Sequence, residues 1–225
     1  MAEIFDDWPE KYDLWFETPI GKLIKYYEGK LVLRMLAPDP GEMILDAGCG
    51  TGIFTADILK AGGARIVGLE LSLTMLRRAL TKCEGQTFQP VIGDMRRLPF
   101  ADASFQKAVS ITAIEFIHDA EIAVNELFRV TKPGGSIVVA TLNSLSPWAE
   151  RRKKAAQKGH PLFRHTTFRS PDELKGLSSL EGIAQTAIHF QKNDDPDIAP
   201  KIETSGNEKG LNTGAFLAIR WIKPG

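Results

Sequence analysis

The stretch Leu45-Asp46-Ala47-Gly48-Cys49-Gly50-Thr51-Gly52 decides the fold of this 225-residue chain. It continues the short apolar run Met43-Ile44-Leu45, which predicts a buried strand, and it leads into residues 53–60, whose apolar side chains have helical spacing. Glycines let the backbone adopt positive φ and let a ligand lie directly against it, while the first amides of the helix stay free for ligand oxygens. The stretch therefore predicts a nucleotide-binding turn between a strand and a helix.

The spacing of the glycines indicates which ligand this turn binds. A dinucleotide fingerprint has the form G-x-G-x-x-G, with a pyrophosphate at the helix N-terminus. Here the order is G-x-G-x-G, and Ile53 stands where the third small residue would be. Asp46 precedes the turn, and its carboxylate would repel a phosphate but attract an amino group. We therefore expect a zwitterionic ligand, and an NAD-dependent dehydrogenase is disfavoured.

The stretch from Leu45 to Gly52 resembles motif I of the class I S-adenosylmethionine (SAM) dependent methyltransferases, in particular the family that includes the ubiquinone and menaquinone methyltransferases and many small-molecule methyltransferases. The resemblance covers about residues 10–145 and is weaker beyond them. It implies an α/β fold with a Rossmann-like, seven-stranded, doubly wound sheet and an antiparallel C-terminal strand pair. It also implies S-adenosyl-L-methionine as the cofactor.

Composition and charge limit the binding partners and the cellular compartment that we expect for this protein. Lys plus Arg and Asp plus Glu both number 28, so no overall field attracts nucleic acid or an anionic membrane, and we expect a small-molecule acceptor. The two cysteines do not suggest a disulfide framework. The N-terminus is acidic and no apolar run approaches bilayer length, so we expect a cytoplasmic protein that does not span a membrane. At this length we expect a single domain over residues 1–225.

Residues 3–18 are rich in aromatic side chains interleaved with acids. Two interpretations are open: the rings pack on the domain surface, or the segment closes as a lid over the cofactor, as the similar family segment often does. Tyr12 is the best candidate for touching SAM from above. From Pro19 to Met35 the apolar residues recur at helical spacing, which predicts a long helix. The aromatic residues of the segment are Phe5, Trp8, Tyr12, Trp15 and Phe16.

An acidic residue ends the second predicted strand, residues 64–70. Glu70 follows Gly48 by 22 residues, the interval at which an acid at this strand end can accept both ribose hydroxyls of an adenosine. A solvated surface glutamate is the alternative. Ser72 is expected to cap the next helix. The side chains expected to point inward from that helix are Leu73, Leu76, Ala79 and Leu80.

The third predicted strand, residues 88–92, contains a proline that suits an edge position. The sequence that follows resembles the family's second motif, which implies that Asp94 accepts from the adenine amino group and that the Met95 amide meets the ring. Asp94 as a turn cap is the alternative. Leu71 and Met75 either line the adenosine pocket or belong to the core.

The fourth predicted strand, residues 107–112, is expected beside the motif I strand, where strand order reverses and ligands bind at the carboxyl ends. The methyl group and the acceptor should therefore meet near Thr112, Glu115 and Phe116. His118 has an unperturbed pKa suited to a general base, although the family-like position is usually a solvent-side loop residue. The catalytic residue stays unassigned, with Glu115, His118 and Tyr12 as candidates.

The sequence after this strand predicts structural elements rather than chemistry. Residues 120–130 predict a helix, residues 129–135 resemble the family's signature for a tight helix-to-strand connection, and residues 136–142 predict the fifth strand. Residues 146–158 predict a helix whose basic run, 151–154, is either a solvated face or a site for a phosphate-bearing acceptor.

The C-terminal part carries the acceptor side. Residues 183–190 and 214–222 predict strands, and the polar residues 191–213 between them are either a mobile flap over the acceptor site or a disordered connection. His160 and His165 lack a third ligand at a useful spacing, so no metal site is predicted. The expected division is an N-terminal lid and helix (1–40), a cofactor-binding core (41–143) and an acceptor-side region with the edge strands (144–225).

The expected function is a SAM-dependent methyltransferase that acts on an unidentified, small-molecule acceptor by in-line displacement. The cofactor carries its own activation, so the protein mainly aligns the reactants, and a general base is needed only if the acceptor retains its proton. A methyltransferase acting on RNA or protein, and a SAM-binding protein without turnover, are the alternatives. The predicted cofactor-binding residues are Tyr12, Asp46, Gly48, Gly50, Glu70, Leu71, Met75, Asp94, Met95, Thr112 and Phe116.

Overall fold

A central sheet of seven strands organises the computed structural model, which describes residues 9–225. In chain order the strands are β1 (Met43–Ala47), β2 (Arg65–Glu70), β3 (Phe88–Ile92), β4 (Phe105–Ile111), β5 (Thr131–Leu142), β6 (Ile183–Ala187) and β7 (Phe216–Ile222). Their order across the sheet is β3-β2-β1-β4-β5-β7-β6. The first five strands pair in parallel, and β7 lies antiparallel between β5 and β6. The predicted doubly wound sheet with its antiparallel C-terminal pair is confirmed.

Helices cover both faces of the sheet. In the described chain they are α1 (Pro9–Glu17), α2 (Pro19–Leu36), α3 (Ile53–Gly62), α4 (Leu73–Lys82), α5 (Ala120–Val130), α6 (Pro147–Gln157), α7 (Pro171–Lys175) and α8 (Ala199–Glu208), with 3-10 turns at Ile114–Phe116 and Phe163–His165. Helices α2 and α3 share one buried apolar cluster, and α5 contributes to the cluster on the opposite face. The sheet is therefore covered on both sides, which is why its parallel strands are almost continuously apolar.

Capping residues set the helix starts as the sequence predicts. Ser72 accepts a hydrogen bond from the Met75 amide at the start of α4. The prediction that Leu73 and Leu80 point inward is wrong, because both side chains are about half exposed. They lie at the edge of the apolar stripe of α4 rather than on it. The side chains that α4 does bury are Met75, Leu76 and Ala79.

The connection from α5 to β5 differs from the predicted turn. Strand β5 begins at Thr131, and the register with β4 shifts between Phe105 and Lys107, as at a β-bulge. Gly134 has φ of +77° and donates its amide to the Lys223 carbonyl. The segment thus pairs with the C-terminal end of the chain and enters the sheet earlier than the sequence predicts.

The segment from 191 to 213 is not a disordered connection, because it contains α8, which packs on β6 at the sheet edge. A flap over the acceptor site remains a prediction. Glu203 of α8 is buried and its carboxylate accepts the amides of Ile188 (3.1 Å) and His189 (2.6 Å). Strand β6 stops at Ala187, before the predicted end, because Ile188 has φ of +67° and turns the chain away from the ladder. The polar composition of this segment does not indicate helix α8, which the buried carboxylate of Glu203 anchors.

No helix within residues 9–225 combines the length and the apolar character needed to cross a membrane.

We predict that Glu203→Ala lowers the free energy of unfolding by about 3 kcal/mol, since each buried amide left without a partner costs about 1–3 kcal/mol. Urea unfolding followed by circular dichroism measures the change. Glu208→Ala, at the exposed end of the same helix, is the control and should change stability by less than about 0.5 kcal/mol. Equal effects of the two substitutions would show that the buried carboxylate does not anchor α8.

Candidate active site

A cavity of about 220 Å³ opens at the carboxyl ends of β1 to β4. All eleven residues predicted to bind the cofactor line it, and His118 lies at its edge. Glu115 does not line the cavity. The eleven predicted residues come from the ends of β1 to β4 and the turns after them, from α4 and from α1, so they converge although the chain separates Tyr12 and Phe116 by about a hundred positions.

The glycine turn shapes the floor of this cavity. Gly48 has φ of +79°, and a Cβ added to it would lie 2.5 Å from the Ala113 Cβ. A Cβ on Gly52 would lie 2.8 Å from the Ala79 backbone of α4. Larger residues at either position would therefore push the turn away from the segment after β4 or from α4.

Asp46 lies beneath the turn and is almost fully buried. Its carboxylate accepts a hydrogen bond of 2.6 Å from the Thr55 hydroxyl of α3. Burial raises the pKa of Asp46 to about 7; the Thr55 bond opposes this shift and the nearby Glu70 adds to it. A cationic group in the cavity would favour the ionised form of this carboxyl.

Glu70 is positioned by three backbone amides. One carboxylate oxygen accepts from Gly50 (3.0 Å), and the other accepts from Leu71 (2.8 Å) and Ser72 (2.9 Å). Burial raises the pKa of Glu70 while these three amides lower it. The interpretation of Glu70 as a solvated surface residue is wrong, because its carboxylate ties the end of β2 to the glycine turn of β1.

Asp94 forms a charge pair at the opposite wall. Its carboxylate accepts from the Arg96 side chain (2.6 Å to Nη2) and from the Arg96 amide (2.9 Å). The hydrogen bond from the Arg96 guanidinium lowers the pKa of Asp94. Met95 between them is buried. Asp94 thus combines the predicted turn-cap geometry with a position on the cavity wall.

Thr112 follows β4 with φ of +49°, a left-handed conformation that a β-branched residue rarely adopts. Its amide donates to the Ala140 carbonyl of β5 (2.9 Å), which holds this conformation. Strained backbone of this kind is concentrated at functional sites. The residue lines the cavity beside Phe116, as the sequence predicts.

Helix α1 contributes one aromatic side chain to the cavity wall. Tyr12 lines the cavity and contacts Phe16 edge to face, and Phe16 in turn contacts Phe54 of α3. Burial raises the pKa of the Tyr12 hydroxyl, and the carboxylate of Glu28 raises it further. Phe5 and Trp8 lie outside the described residues. Aromatic packing and a contact with the cavity are therefore both present in α1, and its action as a lid remains a prediction.

Asp13 joins α1 to the cofactor turn, a role that the sequence analysis missed. Its carboxylate accepts from the Thr51 hydroxyl (2.8 Å) and pairs with Arg78 (3.3 Å) and with Lys82 of α4. These partners come from two separate segments far along the chain, so no local pattern around Asp13 indicates them.

The candidate proton acceptors differ sharply in exposure. His118 has a side chain that is 96% exposed and pairs with Asp119 at 3.2 Å, as in the solvent-side interpretation. Glu115 is 1% exposed and accepts from the Thr141 hydroxyl at 3.2 Å. Burial raises the pKa of Glu115 to about 7.

Three residues of the basic run of α6, Arg151, Lys153 and Lys154, are exposed, as the solvated-face interpretation predicts, whereas Arg152 is only partly exposed. Arg152 turns inward, with its guanidinium 5.3 Å from the ring centre of Trp148, and its Nη1 is buried without a hydrogen-bond partner.

Of the two histidines after α6, His160 stacks on the ring of Phe163. In the part of the chain that the structure describes, no three His, Cys, Asp or Glu residues are grouped so that they could hold a metal ion.

Comparison with known proteins identifies the family. A family model described as a methyltransferase domain matches residues 45–139. The malonyl-[acyl-carrier protein] O-methyltransferase of Erwinia pyrifoliae is 33% identical over 183 residues, covering 72% of this chain and 69% of that protein. The chain belongs to the class I SAM-dependent methyltransferases.

Other relatives of this methyltransferase agree with that assignment. The demethylmenaquinone methyltransferase of Beutenbergia cavernae is 34% identical over 149 residues, 66% of this chain and 60% of that protein. A crystal structure from Thermotoga maritima, described as a SAM-dependent methyltransferase and "possible histamine N-methyltransferase", matches with a TM-score of 0.76 at 24% identity and covers 98% of both chains. The likeness confirms the fold over nearly the full length of the chain.

We predict that Asp46→Asn becomes stabilising relative to the wild type as the pH rises from 5 to 8. The pKa of Asp46 is raised to about 7 in the folded protein, so its contribution is fully present below the unfolded value near 4 and is lost as the pH passes 7. The difference in unfolding free energy should grow by about 3 kcal/mol, at 1.36 kcal/mol for each pKa unit. Urea unfolding at both pH values measures it.

The exposed Asp172→Asn is the control and should give the same difference at both pH values. A pH-independent difference for Asp46→Asn would mean that the buried carboxyl is not destabilised by ionisation.

Proposed function

We propose that this methyltransferase binds SAM in the cavity at the ends of β1 to β4 and transfers its methyl group to a small-molecule acceptor by in-line displacement. The observation that carries the proposal is the convergence of Asp46, Glu70 and Asp94 on one cavity above the glycine turn. Each carboxylate matches a hydrogen-bond donor or a positive charge of SAM, which carries an ammonium, two ribose hydroxyls and an adenine amino group.

The residues divide these contacts among them. Asp46 meets the ammonium group, Glu70 accepts from the ribose hydroxyls, and Asp94 accepts from the adenine amino group. Gly48 and Gly50 let the amino-acid end approach the backbone. The remaining proposed contacts are apolar or lie on the methyl side: Leu71, Met75 and Met95 around the adenosine, and Tyr12, Thr112 and Phe116 near the sulfonium.

Bound SAM supplies an activated methyl group, and the chain supplies alignment and exclusion of water. Alignment alone accounts for several kcal/mol in reactions of this type. Cover by α1, closed through Asp13, keeps the methyl side dry. We propose the same division of the domain as above: lid and helix in 1–40, cofactor core in 41–143 and acceptor side in 144–225.

A small acceptor is favoured over RNA because the basic run of α6 is not a continuous surface. Arg152 is partly buried, so Arg151, Lys153 and Lys154 are the exposed charges of the run that remain for a polyanion. The relatives named above act on different acceptors, a carrier-protein-linked acid and a quinone precursor according to their names. We propose a cytoplasmic enzyme.

Release of S-adenosylhomocysteine across panels of quinols, thiols, amines and phenols tests turnover. SAM binding without release would support a SAM-binding protein instead of an enzyme.

We predict that Glu70→Ala and Asp94→Ala each weaken SAM binding by about 1–3 kcal/mol, the cost of removing a hydrogen bond to a charged group. Titration calorimetry measures the affinity, and thermal melting checks that each variant is folded. The control is Glu84→Ala, an exposed acid after α4 that should bind SAM like the wild type. Unchanged affinity for SAM in both variants would show that Glu70 and Asp94 do not contact the cofactor.

We predict that Asp13→Ala speeds dissociation of SAM about tenfold, because α1 loses its ties to Thr51, Arg78 and Lys82. These ties are partly exposed, so each contributes about 1 kcal/mol or less. Stopped-flow displacement measures the rate, and amide hydrogen exchange of residues 9–17 reports the loosening directly. Glu17→Ala, which removes only an exposed pair with Lys22, is the matched control. If hydrogen exchange shows that α1 is loosened but the dissociation rate of SAM is unchanged, this helix does not retain the cofactor.

A further inference from the structure

One end of the cofactor cavity opens to solvent beside the segment that follows β4. His118 lines the cavity there, and its side chain is 96% exposed, so a second molecule can enter past it. Thr112 and Phe116, the proposed contacts near the sulfonium, lie on the same segment and line the cavity as well. We name this the open end of the cavity. An acceptor that enters at the open end would meet the methyl side of SAM.

A second segment reaches the open end from the C-terminal part of the chain. Leu162, just before the 3-10 turn Phe163–His165, lines the cavity and is the only residue after His118 in the described chain that does so. The amides of Leu162 and Phe163 donate to Nδ1 of His160 at 3.3 and 3.5 Å, and the His160 ring stacks on Phe163 with 4.4 Å between the ring centres. Leu162 is thus held in a turn whose shape is set by its own hydrogen bonds.

The chain after this turn is joined to the 3-10 turn Ile114–Phe116, which borders the open end on the other side. The Thr167 amide donates to the Glu115 carbonyl (2.8 Å), and the Arg169 guanidinium donates to the Ile114 carbonyl (3.3 Å). The two segments that supply apolar side chains to the open end are therefore connected to each other through backbone carbonyls.

The open end offers no partner for a charged acceptor. Among the described residues that line it, none is Asp, Glu, Lys or Arg. The acids of the cavity are proposed to contact SAM, and Arg96 at the opposite wall pairs with Asp94. A charged group brought to the open end would lose water without gaining a counter-charge, which is costly, whereas an apolar group gains from burial. The lining residues of the open end are Thr112, Phe116, Ile117, His118 and Leu162.

We propose that Phe116, Ile117 and Leu162 form an acceptor wall, and that the acceptor is an uncharged small molecule that places an apolar group against this wall. This inference rests on the proposed methyltransferase function. It adds the substrate class and assigns Leu162 as a residue that determines acceptor specificity. It separates this chain from an enzyme whose acceptor carries a free carboxylate or an ammonium group next to the reacting atom.

The test uses two series of probes that keep the carbon skeleton and change only the charge. The ring series is benzyl alcohol, benzylamine and benzoate, and the chain series is 1-hexanol, hexylamine and hexanoate. Binding to the protein loaded with S-adenosylhomocysteine, which lacks the sulfonium charge, is measured by ligand-observed NMR at millimolar concentrations. In at least one series the alcohol should bind at least about tenfold more tightly than both charged members, because their charges would be left without a partner. Equal or tighter binding of a charged member in both series, or no binding of either alcohol, would overturn the proposal.

Substitutions of Leu162 test its place in the acceptor wall. Leu162→Lys puts a cation at the wall and should lower the preference for the alcohol over the carboxylate at least about tenfold, since charge-assisted hydrogen bonds are about twice as strong as neutral ones. A merely structural role would not improve binding of the carboxylate. Leu162→Asn, which is similar in size, should weaken binding of the alcohol about fivefold through loss of an apolar contact.

The matched control is Leu211→Lys, an exposed leucine after α8 that does not line the cofactor cavity. It should leave the preference as in the wild type. Thermal melting checks that each variant is folded. An unchanged preference in folded Leu162→Lys would overturn the assignment of Leu162.

Titration of SAM into the same proteins distinguishes the two levels of inference. If the wild type does not bind SAM, the proposed function fails and the acceptor wall fails with it. If the wild type binds SAM but neither series shows a preference for the alcohol, only the acceptor assignment fails.

Discussion

The carboxylate of Glu70 is the constraint on which the rest of the site depends. It accepts hydrogen bonds from backbone amides that follow two neighbouring strands. The Gly50 amide lies after β1, and the Leu71 and Ser72 amides lie after β2. These contacts fix the glycine turn against the next βα connection, and Ser72 then starts α4 in the position where it meets Gly52. One acid thereby sets the floor of the cavity, the start of a helix and a proposed ligand contact at once.

The fold follows from local sequence because its signals are local. Buried parallel strands are short apolar runs, and the motif I turn brings strand, glycines and helix together within twenty residues. The same holds for the predicted cofactor residues, which stand at strand ends and so meet at one edge of the sheet. Polar composition does not indicate structure that rests on a single buried contact, as at α8, which the carboxylate of Glu203 anchors.

Long-range polar contacts could not be predicted from the chain alone. Asp13 finds its partners on the glycine turn and on α4, and Arg152 is partly buried because its guanidinium lies over Trp148, one helical turn before it. In sequence, these residues are one acid among many in an acidic leader and one arginine in a basic run. Their roles depend on which elements the sheet order brings together, and that information is distributed over the whole chain.

The position of β7 has a consequence for biosynthesis. This last strand lies between β5 and β6, and its Leu217, Ile219 and Trp221 are fully buried. Until β7 has left the ribosome, β5 therefore has an open edge and β6 has no partner. Such an edge is a template for pairing with another chain, and non-local pairings of this kind form slowly. The nascent enzyme is thus most prone to aggregation before β7 emerges, and deletion of Phe216–Ile222 would leave that edge open permanently.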